Sequence, residues 1–132
     1  MAGATAQAEE EHLPGPIYAQ VVKVIDGDTI AVRARIWLRQ EVDTHVRLFG
    51  LDTPEKRGRC ESERAMAQQA QDFVEQRLAE GWVWLRDVRL DKYGGRVVAR
   101  VETPAGDDLT QAVIAAKLGR PYDGGTKVKW CG

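Results

Sequence analysis

Acidic residues concentrate in two short stretches of this chain. The stretch "VIDGDTI" places Asp26 and Asp28 on either side of one glycine, and "LDTPE" contains Asp52, Thr53 and Glu55. A tight turn needs at most one acid, so the pair around the glycine is unusual. Carboxylates that meet without partners repel one another and raise their pKa values, and a hard cation relieves that repulsion. Because neither stretch contains His or Cys, the oxygen donors favour calcium.

Two arginines extend this set. Arg47 lies in the apolar run "VRLFGL", and Arg96 follows "DKYGG". A guanidinium matches the geometry of a phosphate group, and a metal with arginines stabilises the extra charge of a phosphoryl transition state. A further carboxylate can activate water. Each feature alone is compatible with turn acids or solvated surface charges, but together they predict a site for phosphodiester hydrolysis.

The apolar pattern predicts the elements that must position these residues. Alternating or β-branched runs indicate five strands, over residues 18–25, 29–38, 44–51, 82–90 and 95–102. Apolar residues at helical spacing indicate one helix over 61–80 and another from Asp107 or Asp108 to near Gly119, with Gln111 in a capping arrangement. This order predicts a β-barrel with helices (α+β), specifically a five-stranded OB-type barrel with two helices.

Length and composition indicate one globular domain. The chain has 132 residues and a formal net charge of −1, which permits nucleic acid as a partner without requiring it. No apolar run reaches the ~18–20 residues of a membrane helix, so no membrane partner is expected. Residues 1–16, rich in small and acidic residues, predict a flexible tail before a domain over 17–132.

The leading segment also bears on localisation. Its stretch "ATAQA" has the small-residue pattern that ends an export signal, but the charged and apolar parts of such a signal do not precede it. One interpretation is the remnant of a trimmed signal, which predicts a periplasmic or secreted protein. The other is an ordinary flexible N-terminus.

Three motifs in this order resemble the staphylococcal nuclease (thermonuclease) family. They are "VIDGDTI", "VRLFGLDTPE" and "DKYGGR", and the resemblance runs from about Val21 to Gly119. It implies an OB-type barrel and a calcium-dependent enzyme that cleaves DNA and RNA with little sequence preference, leaving 3′-phosphate ends. It also implies that the long C-terminal helix of the best-known member is absent here.

The resemblance assigns roles around a metal ion. Asp28 and Asp52 match the carboxylate ligands of calcium, and Thr53 matches a ligand that offers its backbone carbonyl. Asp26 lies beside them in sequence, and we expect it to support the site without binding the ion.

The resemblance assigns the chemistry to three further side chains. Glu55 matches the general base that activates or orients water, while Arg47 and Arg96 match the arginines that bind the scissile phosphate. Lys92 and Tyr93 match positions that contact the phosphate and the sugar-base portion of the nucleotide.

Some positions differ from the family pattern. "DKYGGR" has one more glycine than the short form of its motif, and Lys117 stands where the pattern has glycine, so Gly119 is expected to end the second helix. Without a C-terminal helix, the segment "RPYDGGTKVKWCG" needs another restraint. An even cysteine count predicts a bond between Cys60 and Cys131, the alternative being two free thiols in a reducing compartment.

Three functions are compatible with this sequence. The first is a calcium-dependent nuclease acting as a monomer on single-stranded or frayed DNA and RNA. The second is a non-catalytic OB-type module that binds nucleic acid or protein, and the third is a phosphodiesterase for a small nucleotide. Because such modules typically lose the acids or arginines, and all five side chains are present here, the sequence favours the enzyme.

Overall fold

A computed structural model describes residues 11–92 and 94–132. The strands are β1 (His12–Leu13), β2 (Ile17–Asp26), β3 (Thr29–Trp37), β4 (Gln40–Leu48), β5 (Leu51–Asp52), β6 (Trp82–Leu90), β7 (Arg96–Glu102) and β8 (Arg120–Pro121). The helices within these described ranges are α1 (Glu61–Arg77) and α2 (Leu109–Ala115). Neither of these helices has the length and apolar character needed to cross a membrane.

Five strands close into a barrel. The sheet runs β6-β2-β3-β4-β7, and β7 pairs back onto β6. All pairings are antiparallel except β4 with β7, which is parallel. The five-stranded OB-type barrel predicted from the sequence is therefore confirmed, and α1 is inserted in the chain between β4 and β6, the third and fourth barrel strands in sequence order.

The leading segment differs from the prediction near its end. His12 and Leu13 pair with Arg89 and Val88 as β1, so these two residues extend the sheet although they were assigned to the flexible tail. Backbone hydrogen bonding to the edge of β6 outweighs the polar composition of the segment. Residues 1–10, which hold most of the predicted tail and the stretch "ATAQA", lie outside the described residues.

Alternation along the strands fills the barrel. In β3, Ile30, Val32 and Ala34 are buried, as their spacing predicts. The same face was predicted to continue through Ile36 and Leu38, but the β3–β4 hairpin extends past the barrel and leaves Leu38 82% exposed. The turn there is tight, with Trp37 paired to Gln40, so β4 begins four residues earlier than predicted.

A residue with positive φ follows each helix within four residues of its end. α1 stops three residues before its predicted end, and Gly81 follows with a φ of 88°. In α2, the Asp108 side chain accepts a hydrogen bond from the Gln111 backbone N–H, which confirms the predicted cap. The expected stop at Gly119 was wrong: the helix ends at Ala115, and Lys117 itself adopts a φ of 62°.

Candidate active site

Three turns of the barrel meet around one cleft of about 400 Å³. They are the β2–β3 turn, the segment after β4 that contains β5, and the β6–β7 turn. The cleft brings together six of the side chains singled out in the sequence: Asp26, Asp28, Arg47, Glu55, Lys92 and Arg96. Residues as far apart in sequence as Asp26 and Arg96 therefore share one surface because the barrel closes.

Gly27 explains how the first two turns approach each other. A Cβ at this position would lie 2.8 Å from the Ala70 Cβ and 3.1 Å from the Thr53 Cγ2. Only a residue without a side chain lets the turn pack this closely against α1 and against the segment after β5. The glycine between Asp26 and Asp28 is thus required by packing, and its two flanking acids are placed beside Thr53.

Asp28, at the end of the β2–β3 turn, faces Arg47 on β4. Thr29, directly after Asp28, is the register partner of Arg47 in the β3–β4 pairing. The Asp28 Oδ2 lies 4.0 Å from the Arg47 Nη2, and its Oδ1 accepts a hydrogen bond from the Thr29 hydroxyl at 2.9 Å. Arg47 also donates to the Leu51 carbonyl oxygen at 3.0 Å, which fixes its head at the cleft wall.

Asp52 is the least exposed acid of the predicted set. It is 3% exposed in β5, and its Oδ1 lies 3.3 Å from the Lys127 Nζ. Asp52 lines a second pocket, next to the main cleft, together with Glu55 and Lys127. Thr53 is also buried. The two predicted carboxylate ligands therefore each face a cation of the chain itself, Arg47 for Asp28 and Lys127 for Asp52.

The oxygen donors of this site suit calcium. Two carboxylates and a backbone carbonyl are hard ligands, and calcium completes such a set with water. Among the described residues, the one group of three His, Cys, Asp or Glu side chains close enough to share an ion is Cys60, Glu63 and Cys131. Its cysteines are bonded to each other, so they do not act as thiolate ligands. Asp28, Asp52 and the Thr53 carbonyl stay the predicted calcium ligands, with Asp28 lining the main cleft and Asp52 the second pocket.

Glu55 sits where both pockets meet. Burial raises the pKa of the Glu55 carboxyl; the nearby Lys127 ammonium lowers it, and the carboxylates of Asp28, Asp26 and Asp52 raise it further. The acids of the two motifs thus act on one another, as their convergence requires. The net rise in pKa makes the Glu55 carboxylate a stronger proton acceptor than an ordinary glutamate.

A buried carboxylate holds the Glu55 loop. Glu63, 7% exposed in the first turn of α1, accepts hydrogen bonds from the backbone N–H of Glu55 at 3.0 Å and of Arg59 at 3.3 Å. Its side chain also fills the space at Gly58, where a Cβ would collide with it. One carboxylate therefore links the start of α1 to the loop that carries the proposed base.

Arg96 enters the cleft from β7, the strand that pairs with β4. The extra glycine of its motif is accommodated because Gly94 and Gly95 both adopt positive φ, 70° and 67°. Arg96 then starts β7 opposite His45, and its Nε donates to the buried carboxylate of Asp91. The longer turn therefore still delivers Arg96 to the cleft wall.

The remaining predicted residues lie at the rim. The Asp26 carboxylate is 3.7 Å from the Lys56 Nζ, which donates to the Ile25 carbonyl oxygen at 2.6 Å. Lys92 is exposed on the cleft wall. Tyr93 lies outside the described residues.

The predicted disulfide is confirmed. Cys60 and Cys131 are bonded, with their Cα atoms 6.0 Å apart. The bond joins the loop before α1 to the end of the chain, and so draws residues 122–131 across the predicted metal ligands. This segment lines both pockets through Lys127.

Sequence reasoning missed three residues of the site. Asp91 could have been found from the sequence, since it is the first residue of the "DKYGGR" motif that contains Arg96. Glu63 could also have been found, because its spacing places it on the buried face of α1 with Ala67, Ala70 and Val74. Lys127 had no signal in the sequence, since its position depends on the path of the C-terminal segment.

Comparison with known proteins agrees with this architecture. The fold and the site together define a class of protein, namely an OB-type barrel with acids and arginines in one cleft. The family model described as "Staphylococcal nuclease homologue" matches residues 45–123, more than half of the chain. The chain belongs to this family. A search of curated proteins finds no match.

Proposed function

We propose that this protein is a calcium-dependent nuclease that hydrolyses phosphodiester bonds of DNA and RNA without sequence preference. The observation that carries the proposal is that Asp28, Arg47, Glu55 and Arg96 line a single open cleft. Water adds to phosphorus, and the 5′ oxygen leaves with a proton. The products are a 3′-phosphate end and a 5′-hydroxyl end.

The two arginines would bind the phosphate from two neighbouring strands, β4 and β7. Arg47 is held by the Leu51 carbonyl and Arg96 by the Asp91 carboxylate, so both guanidinium groups are oriented before substrate arrives. Pre-oriented donors are worth most where negative charge increases in the transition state. Lys92, on the same wall, would contact a neighbouring phosphate.

Glu55 would accept the proton of the attacking water. Its raised pKa favours proton transfer, and the hydrogen bond from its backbone N–H to Glu63 keeps it at the cleft. Calcium held by Asp28, Asp52 and the Thr53 carbonyl would supply further charge stabilisation at the phosphate oxygens. Asp26, paired with Lys56, would shape the turn that presents Asp28.

The substrate and its location are part of the same proposal. Phe49 lines the cleft and is 57% exposed, so an unstacked base has an aromatic surface to rest on. Single-stranded or frayed DNA and RNA are therefore the proposed substrates of a monomeric enzyme. Disulfides persist in oxidising compartments, which supports a periplasmic or secreted protein.

One observation favours the alternative of a non-catalytic binding module. Lys127 already neutralises Asp52, and Asp91 already neutralises Arg96. A barrel whose charges are balanced internally can bind a nucleic acid or a protein without cleaving anything.

Incubation with denatured DNA distinguishes the two functions. The nuclease predicts cleavage in calcium, none in a chelator, and fragments that a 3′-phosphatase converts into polymerase primers. Intact DNA after long incubation with calcium would rule out the enzyme, and a gel shift of the same DNA would then support the binding module.

A further inference from the structure

The segment over residues 122–131, here called the C-terminal strap, is fastened at both ends. At its start, β8 pairs with β5, and the Tyr122 N–H donates to the Gly50 carbonyl oxygen at 2.9 Å. At its end, Cys131 is bonded to Cys60. The Arg120 guanidinium also holds the end of the strap. It lies 3.7 Å from the centre of the Trp130 ring and donates hydrogen bonds to the carbonyl oxygens of Val128 and Lys129.

Between these ends, the strap directs Lys127 onto a predicted metal ligand. The Lys127 Nζ lies 3.3 Å from the Asp52 Oδ1 and 5.5 Å from the centre of the Tyr122 ring. Arg47 lies at the same distance from that ring. Tyr122 thus lies near both the cation that faces Asp28 and the cation that faces Asp52.

The contact between Lys127 and Asp52 matters because Asp52 is buried. A carboxylate that is 3% exposed is costly to leave without a positive partner. The Lys127 side chain remains 42% exposed, so its head can move into solvent while Asp52 stays in place. An ammonium and a calcium ion both bind carboxylate oxygens, so the two would compete for the oxygen of Asp52.

We propose that Lys127 is an internal counter-cation of Asp52 that competes with calcium, and that the Cys60–Cys131 bond sets the strength of this competition. The inference rests on the calcium site of the proposed function. Tethering at both ends holds the ammonium near Asp52 at a high effective concentration. Opening the disulfide releases one end of the strap, lowers that concentration and lets calcium bind more tightly.

Calcium titration by calorimetry tests the role of Lys127 without using catalysis. Lys127→Met should lower the calcium dissociation constant by about fivefold or more, the lower end of typical couplings between linked sites. Lys129→Met is the matched control, because it removes the same charge from the same strap two residues further on. Equal dissociation constants for the two variants would overturn the inference.

Thermal unfolding of the two variants gives a second readout. In a chelator, Lys127→Met should melt below Lys129→Met, because buried Asp52 loses its partner. Saturating calcium should remove that difference, since the ion replaces the ammonium. A difference that persists unchanged in calcium would contradict competition.

Reduction tests the disulfide. In the reduced wild-type chain the calcium dissociation constant should fall, whereas in Lys127→Met reduction should leave it nearly unchanged. An equal response in both chains would overturn the link between strap and lysine. The absence of calcium binding in every variant and redox state would overturn the calcium site of the proposed function as well. That result differs from equal calcium binding in all variants, which would overturn only the role of Lys127.

Discussion

The carboxylate of Glu63 accepts hydrogen bonds from the backbone N–H groups of Glu55 and Arg59 at once. Both N–H groups belong to the loop that connects β5 to α1, and that loop also carries Cys60. A carboxylate that accepts backbone N–H groups forms charge-assisted bonds, which are stronger than neutral ones. Glu63 therefore couples the start of α1 to the geometry of the proposed base.

Glu63→Ala should lower the free energy of unfolding by about 2–4 kcal/mol, because two part-buried hydrogen bonds from backbone N–H groups lose their charged acceptor. Urea denaturation measures this change. Glu61→Ala is the control, since it removes an exposed carboxylate from the same helical turn. Glu63→Gln, which keeps one acceptor oxygen, should fall between the two. Equal midpoints for Glu63→Ala and Glu61→Ala would show that the contact contributes nothing.

Glu55→Gln should slow cleavage of single-stranded DNA by at least ~10², the lower range of general-base contributions. The amide cannot take the proton of water, although it occupies nearly the same volume. Initial rates at saturating calcium measure the effect, with Glu61→Gln as the matched surface control. A rate within twofold of the wild type would remove Glu55 from the chemistry.

Arg47→Lys should slow cleavage by about 10², comparable with removing one donor to a developing negative charge. A lysine keeps the charge but cannot contact two phosphate oxygens with a planar fork. Arg33→Lys provides the control, because Arg33 lies on the neighbouring strand and pairs with Asp43 at the surface. If both variants turn over like the wild type, Arg47 is a structural residue.

Replacing both cysteines by serine should lower the free energy of unfolding by about 4 kcal/mol in the chain-entropy account of loop closure. The bond spans 71 positions of the sequence, so the unfolded chain gains much freedom without it. Denaturant unfolding measures the loss. Before that comparison, alkylation and mass spectrometry of the unreduced protein should find no free thiol, and two alkylated cysteines per chain would contradict the bond.

Lys117→Gly should raise the free energy of unfolding by up to about 1 kcal/mol. Lys117 lies two residues after the end of α2 and has a φ of 62°, a region that glycine enters without steric cost. Thermal unfolding measures the gain in stability. Lys117→Ala is the control, because it also removes the charged side chain but keeps the Cβ. A glycine variant no more stable than the alanine variant would show that this backbone position is not strained.

Local patterns sufficed to predict much of this molecule. Alternation over residues 30–34 of β3 and the cap at Asp108 depend only on residues close in sequence, and both were predicted correctly. The motifs around Asp28, Asp52 and Arg96 were recognisable because turn acids and glycines are specified within a few residues. The pairing of two cysteines followed from their number, since only one intramolecular bond is available.

Tertiary structure decided what depends on residues distant in sequence. The end of α2 at Ala115 and the pairing of β1 were decided by packing and sheet edges, which local propensity does not describe. No short stretch of sequence indicates that Lys127 reaches Asp52 or that Glu63 holds the Glu55 loop. Those contacts exist because β8 pairs with β5 and the disulfide returns the chain to α1. Electrostatic contacts depend on distance in space, and only the closed barrel with its fastened strap sets those distances.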